Sequence, residues 1–213
     1  MIKSTLFSYG KYGIPMSIWL IISTSYPYLE KRFLISFSSV EVADYFALAD
    51  LINRGAGMIF IPLLMFIHPK LMHKFEENIS DFFKFLYKSI MLIIFIGLLG
   101  CIVIGIVSQT ILSTIFPGIN EEVIQSALFV FLVPVFWQLS FLSHKFLEAK
   151  VKTLLLVYLI LLSMVSSCLM MYFLIPKYGF YGSIFSQVAS LSLYILLSLY
   201  FSNRESNERH NNC

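Results

Sequence analysis

The chain has 213 residues, 58% of them hydrophobic and 13% charged, with a mean hydropathy of +0.82 and a formal net charge of +3. These values exclude an ordinary soluble domain and point to an integral membrane protein. The basic excess implies no nucleic-acid partner, because the Lys and Arg residues border apolar stretches, where membrane lipid head groups meet them. Cys101 and Cys168 lie inside apolar stretches and Cys213 is terminal, which gives neither a disulfide framework nor a prenylation box.

A bilayer core about 30 Å thick requires roughly 20 apolar residues of helix. Six stretches meet that length, at about 13–35, 43–67, 89–107, 123–143, 153–174 and 180–201, and predict an all-α bundle of six transmembrane helices. Their continuous apolar runs lack the period-two alternation of a β-barrel. Residues 202–213 are polar and are expected to form a disordered cytoplasmic tail.

The first span is not a signal peptide, since it is long and has no small-x-small cleavage site. Its far half carries Glu30, Lys31 and Arg32. The second is entered past Glu41 and Asp44 and then carries Asp50, Asn53 and Arg54. At 1.5 Å per residue Arg54 falls roughly 15 Å deep, close to the midplane. Asp50 and Arg54, four apart, share a helical face. Ionisable groups inside a span cost about 2.5–3.5 kcal/mol each on insertion scales and are functional candidates by default. Pairs that merely neutralise each other, Asp50 with Arg54 or Glu30 with Lys31 or Arg32, would need no ligand. The clustering of charge on two spans, against essentially none in the centres of the third, fifth and sixth, favours a water-accessible cavity.

Pro27, Pro62 and Pro134 lie inside spans, where they bend or break helices. Gly55 and Gly57, and Gly97, Gly100 and Gly105, are expected to let neighbouring helices approach. His68 to Lys88 is read as a longer inner connection. Between spans three and four, Ile111, Leu112, Ile115 and Phe116 share a face, as in a short interfacial helix before Pro117-Gly118. His68, His73, His144 and His210 form no metal-ligand or catalytic pattern and are read as interfacial. Short outer connections and the lack of a phosphate loop argue against an enzyme, and no cofactor is expected.

Eleven of the fifteen basic residues fall on one side: Lys3 and Lys11, the Lys70–Lys88 group of four, Lys145, Lys150 and Lys152, and Arg204 and Arg209. Lys31, Arg32 and Lys177 fall on the other. Positive charge stays on the cytoplasmic side, so both termini are expected there.

Several segments, in order along the chain, resemble bacterial oligosaccharide flippases, the polysaccharide-synthesis branch of the MATE-like exporter superfamily. Tyr12-Gly13-Ile14-Pro15 is similar to the entry of that family's seventh helix. Lys31-Arg32-Phe33-Leu34-Ile35 resembles the element that ends it, although Lys31 stands where the family often has Asp. Asp44-Tyr45-Phe46-Ala47 resembles the entry to the eighth helix, and Pro69 the proline after it. The most specific match is Leu174-Ile175-Pro176-Lys177-Tyr178-Gly179-Phe180-Tyr181-Gly182-Ser183, similar to the turn into the last helix.

The resemblance covers nearly the whole chain but only the second of the family's two six-helix bundles. It implies flipping of undecaprenyl-diphosphate-linked oligosaccharide across the cytoplasmic membrane for surface polysaccharide or O-antigen synthesis. It also implies a first-half six-helix bundle as partner, or self-association. Under it, Lys31, Arg32 and Arg54 would bind the diphosphate, with Glu30, Asp44 and Asp50 tuning charge or carrying a coupling ion. A drug or cation antiporter of the same superfamily and a non-transporting fragment are the alternatives.

Overall fold

Apolar segments without water to bond their amides close their hydrogen bonds internally as helix. The computed structural model describes residues 2–37, 42–115, 118 and 121–210, with the backbone alone for 2–12, 42–44, 111, 112, 115 and 207–210. Six long helices arise there: α1 (Ile2–Phe37), α2 (Val42–Glu77), α3 (Ile79–Ile115), α5 (Ala127–Ser143), α7 (Thr153–Tyr178) and α8 (Phe180–His210). Two short ones, α4 (Glu121–Gln125) and α6 (Lys145–Ala149), flank α5. Among the described residues, α2, α3, α5 with α6, α7 and α8 are long and apolar enough to cross a membrane. The 36 residues of α1 also suffice in length. Its apolar run is diluted by Ser23, Thr24 and Ser25, whose hydroxyls bond back to carbonyls at Leu20 and Ile21.

The fold is the expected all-α bundle of six long helices. α7 and α8 form a hairpin, α1 lies along α7, and α5 packs between α3 and α8 with α2 beside it. Met91, Phe95, Leu98, Ile102 and Ile106 form an exposed apolar stripe on α3, at helical spacing, suited to hydrocarbon and not to water. The α7–α8 turn depends on two glycines. Gly179 takes φ +56° as its N–H bonds the Ile175 carbonyl at 2.8 Å, a conformation that Cβ disfavours. A Cβ at Gly182 would sit 2.5 Å from the Leu174 carbonyl oxygen.

Four expectations are corrected. The inner connection is not a loop: α2 runs to Glu77 and α3 starts at Ile79, because Leu71, Phe82 and Leu86 bury one face of this charged segment. Asn78 alone separates the helices, its Oδ1 accepting the Ser80 N–H at 2.9 Å as an N-cap. The interfacial helix is instead the end of α3, with Phe116 and Pro117 outside the described residues. The tail is helical to His210, with Ser202 buried and Glu205 paired to Lys152 at 2.9 Å. Gly55 meets no neighbour within 4 Å and Gly57 only Ile61 of its own helix, whereas Gly97 and Gly100 do let α3 approach Val135 and Phe131 of α5.

Gly182→Val is expected to destabilise the protein by about 1–3 kcal/mol through overpacking. Gly55→Val should leave the melting temperature nearly unchanged. Thermal unfolding of both variants in one detergent makes the comparison.

Candidate functional site: a charged cavity and an uncharged one along α2 and α5

Helical spacing carries Tyr26 and Glu30 on one face of α1, and Ser183, Gln187 and Ser190 on one face of α8. These faces meet. The Glu30 side chain turns into the bundle, leaving the residue 7% exposed, and its Oε1 accepts the Tyr45 hydroxyl at 2.9 Å and the Ser183 hydroxyl at 2.6 Å. Gln187 approaches the same carboxylate. Tyr26 and Ser190 share a further hydroxyl–hydroxyl bond of 2.6 Å, and Tyr45 stacks on Phe180 with ring centres 5.5 Å apart. A buried carboxylate requires such donors, since each unsatisfied group would carry its full desolvation penalty.

Above this network opens a cavity of about 550 Å³ between α1, α2, α5 and α8. Glu30, Lys31 and Asp50 line it, together with Asn53, Trp137 and Gln187. Three of the sequence-predicted residues therefore come together. Arg54 does not line the cavity, but its guanidinium bonds Asp50 at 2.8 Å, with side chains 75% and 60% exposed. Both side chains are open at the surface of the bundle, so Asp50 and Arg54 can be reached from outside it. Arg32 points away from the cavity, exposed, its backbone carbonyl taken by Ser36. The Asp44 side chain lies outside the described residues, as does Glu41. The pairing of Glu30 with Lys31 or Arg32 is not what forms: hydroxyls satisfy Glu30, and Lys31 lies 5.8 Å from the Phe46 ring.

A second cavity of about 520 Å³ continues the first, sharing Ile61, Trp137 and Gln138 as common wall. Trp19, Leu64, Met65, His68 and Phe141 complete its main lining, and no Lys, Arg, Asp or Glu is among it. Both cavities follow one stripe of α2, from Phe46 through Asn53, Gly57 and Ile61 to His68. That distance is ~33 Å at 1.5 Å per residue, comparable to a bilayer core.

Behind the second cavity sits a polar network that the sequence reading missed. His144 is 1% exposed and not interfacial; its Nδ1 lies 2.9 Å from the Ser140 carbonyl and 3.1 Å from the Tyr194 hydroxyl. The carbonyl only accepts, so Nδ1 carries the proton. Trp19 Nε1 donates to the same Tyr194 oxygen at 3.2 Å. Lys145 Nζ bonds Glu148 at 2.6 Å, both largely buried, and lies 3.7 Å over the Phe141 ring.

Tyr45, Ser183 and Gln187 were also missed. The available signal was polar residues spaced four and three apart in the sixth span, Ser183, Gln187 and Ser190, which share one helical face.

No protein-family model matches this chain, and no curated protein sequence does. A solved structure does: the outward-facing conformation of a multidrug resistance MATE family transporter of the MOP superfamily. It superposes with a TM-score of 0.64 at 13% identity, covering 90% of this chain and 43% of the other. The chain is thus a multi-pass helical membrane protein with a MATE-like fold. It spans somewhat under half the length of that transporter.

Breaking the buried pair with Lys145→Met takes from Glu148 its 2.6 Å partner and is expected to cost about 3–5 kcal/mol. Lys84→Met, which removes an exposed pair with Asp81, should cost under about 1 kcal/mol. Chemical denaturation of the two variants measures the difference.

Proposed function

We propose that this chain is a transporter component, not an enzyme, forming one wall of a pathway for an anionic, lipid-linked sugar. The substrate is undecaprenyl-diphosphate-linked oligosaccharide, flipped across the bacterial cytoplasmic membrane with both termini of the chain cytoplasmic. The other wall is a first-half six-helix bundle or a second copy. The observation that supports this reading is the charged cavity, where Lys31 is part of the lining and Arg54 pairs with the lining carboxylate Asp50 at 2.8 Å. Two cations that can close on one diphosphate supply charge-assisted bonds to its oxygens. Glu30, buried among hydroxyls, is the group suited to bind a coupling ion, with Asp50 as the carboxylate that Arg54 releases.

A second reading is an organic-cation antiporter. The MATE neighbour is described as a multidrug resistance transporter. Glu30, Asp50, Tyr26, Tyr45 and Trp137 also offer carboxylates and aromatic faces, the chemistry that holds organic cations.

Complementation of a flippase-deficient strain, with and without a matching first bundle, separates them. Arg54→Ala is expected to abolish surface polysaccharide output without loss of membrane insertion, and Lys31→Ala to lower it about tenfold or more. Full output from both variants, with drug efflux lost in Glu30→Gln, would replace the flippase by the antiporter.

A further inference from the structure

The bundle carries a third cavity, of about 460 Å³, between α3, α5 and α8. It is separate from the two along α2. Leu132, Val135 and Leu139 of α5 line it, and at about 100° per residue they fall on the opposite face of that helix from Val130, Pro134 and Trp137 of the charged cavity. Its floor exists because Gly97 has no Cβ: one placed there would meet Val135 at 2.8 Å. Leu98 in its lining belongs to the exposed apolar stripe of α3, so the space opens toward hydrocarbon. The hydroxyl in the lining is already used, since Ser192 Oγ donates to the Val188 carbonyl at 2.7 Å. From Ile90 to Cys101 the groove runs ~16 Å along α3, about the depth of one leaflet of a bilayer core.

One end of this groove is charged. Tyr87 and Asn203 continue the lining faces of α3 and α8 past Ile90 and Leu196. The Tyr87 hydroxyl donates to Asn203 Oδ1 at 3.5 Å, a long and exposed bond that leaves both groups able to take a further partner. Lys84 and Lys88 are exposed on either side of Tyr87 along α3, and Arg204 is exposed beside Asn203. The carboxylates described in these turns, Asp81 and Glu205, each pair with a lysine, Lys84 at 3.3 Å and Lys152 at 2.9 Å. Among the described side chains of these turns, cations therefore outnumber carboxylates.

An uncharged groove one leaflet deep, with positive charge at its outer end, matches a molecule whose hydrocarbon tail ends in an anion. A soluble anion would use the charges and leave the groove without purpose. We infer that the α3–α5–α8 groove binds an anionic diacyl phospholipid of the adjoining leaflet, one acyl chain lying over Gly97 and the headgroup phosphate between Lys88 and Arg204. The site goes beyond the transport reading and is independent of what is carried. The lipid lies on the outer face of α5, whose inner face lines both cavities along α2, and braces α3 and α8 against that wall.

The full chain in dodecyl maltoside would be titrated with dipalmitoyl-phosphatidylglycerol, dipalmitoyl-phosphatidylcholine, dihexanoyl-phosphatidylglycerol and inorganic phosphate, with retained ligand counted by native mass spectrometry. A single saturable long-chain phosphatidylglycerol is expected, held about tenfold more tightly than phosphatidylcholine, with neither the short-chain lipid nor phosphate retained. Lys88→Gln combined with Arg204→Gln, both at exposed positions, should bring phosphatidylglycerol down to the phosphatidylcholine level with the melting temperature nearly unchanged. Cys101→Phe, which puts a ring into the groove, should weaken both lipids; where it fails to fold, the charge variant decides. A photoreactive acyl chain on phosphatidylglycerol should crosslink to Ile94, Leu98 and Leu196 and spare the exposed Leu154, Leu162 and Val165 of α7. Equal retention of the two headgroups, or an undiminished preference in the charge variant, overturns the inference. So do crosslinks spread evenly over α7, which would mean bulk lipid only, and retention of inorganic phosphate, which would mean an adventitious ion only. Phosphatidylglycerol lost as the protein self-associates would give the groove to a second copy, and its displacement by a polyprenyl phosphate would give it to a transported tail; either result also overturns it. Polysaccharide output is not among these readouts, so failure here leaves the transport reading standing.

Discussion

Everything at the charged end of this bundle depends on one buried carboxylate being satisfied without water. Glu30 sits where α1, α2 and α8 converge, and its Oε1 takes hydroxyls from the other two helices. In a low-dielectric interior each of those bonds is stronger than in water, and each missing one costs more. The three helices are therefore tied at a point where apolar packing alone would leave their relative rotation loosely specified. That tie fixes which face of α1 looks into the bundle. It also decides that Lys31, one residue on, looks into the cavity while Arg32 does not.

From that point the cavity follows from side-chain volume. Along the α2 stripe, Ala49, Asn53 and Gly57 are small where neighbouring turns bury Leu48, Ile52 and Phe60 on another face. Small residues on one face leave space; large ones on the next close the core. The stripe then changes character at Ile61. Toward Phe46 it is charged and hydroxyl-rich, and toward His68 it is aromatic and uncharged. A groove of bilayer length whose two ends differ in chemistry suits a ligand whose two ends differ likewise.

Much of this was legible in the sequence, for reasons that can be named. Span length and continuous apolarity disclosed the helices because lipid permits little else. The Tyr178-Gly179 turn was legible because a backbone with φ +56° selects glycine. Glu30, Lys31 and Asp50 stood out because charge inside a span is costly. What the sequence concealed were pairings across helices. Nothing in the spacing of Tyr45 and Ser183 says that both reach Glu30 over 15 and 153 residues. His144 and Lys145 looked interfacial since they end an apolar run; their burial comes from α8, α1 and α2 closing over them. The segment from His68 to Lys88 looked like a loop because it is charged, yet its apolar residues repeat with helical period and bury one face.

The ion pair beside the charged cavity and the one behind the uncharged cavity differ in a way that assigns them different mechanical roles. Lys145 and Glu148 are within three residues on one short helix, nearly enclosed, 2.6 Å apart, with the ammonium also over an aromatic ring. Separating them would strand charge in a medium that cannot hydrate it, at a cost of several kcal/mol. Asp50 and Arg54, four residues apart on α2, are open to the surroundings of the bundle. An arriving anion can therefore reach Arg54, whereas no ligand of ordinary affinity could take Lys145 from Glu148. The uncharged end of the groove is thus the fixed platform and the charged end the exchangeable one. The asymmetry lies in burial, not in the identity of the charges.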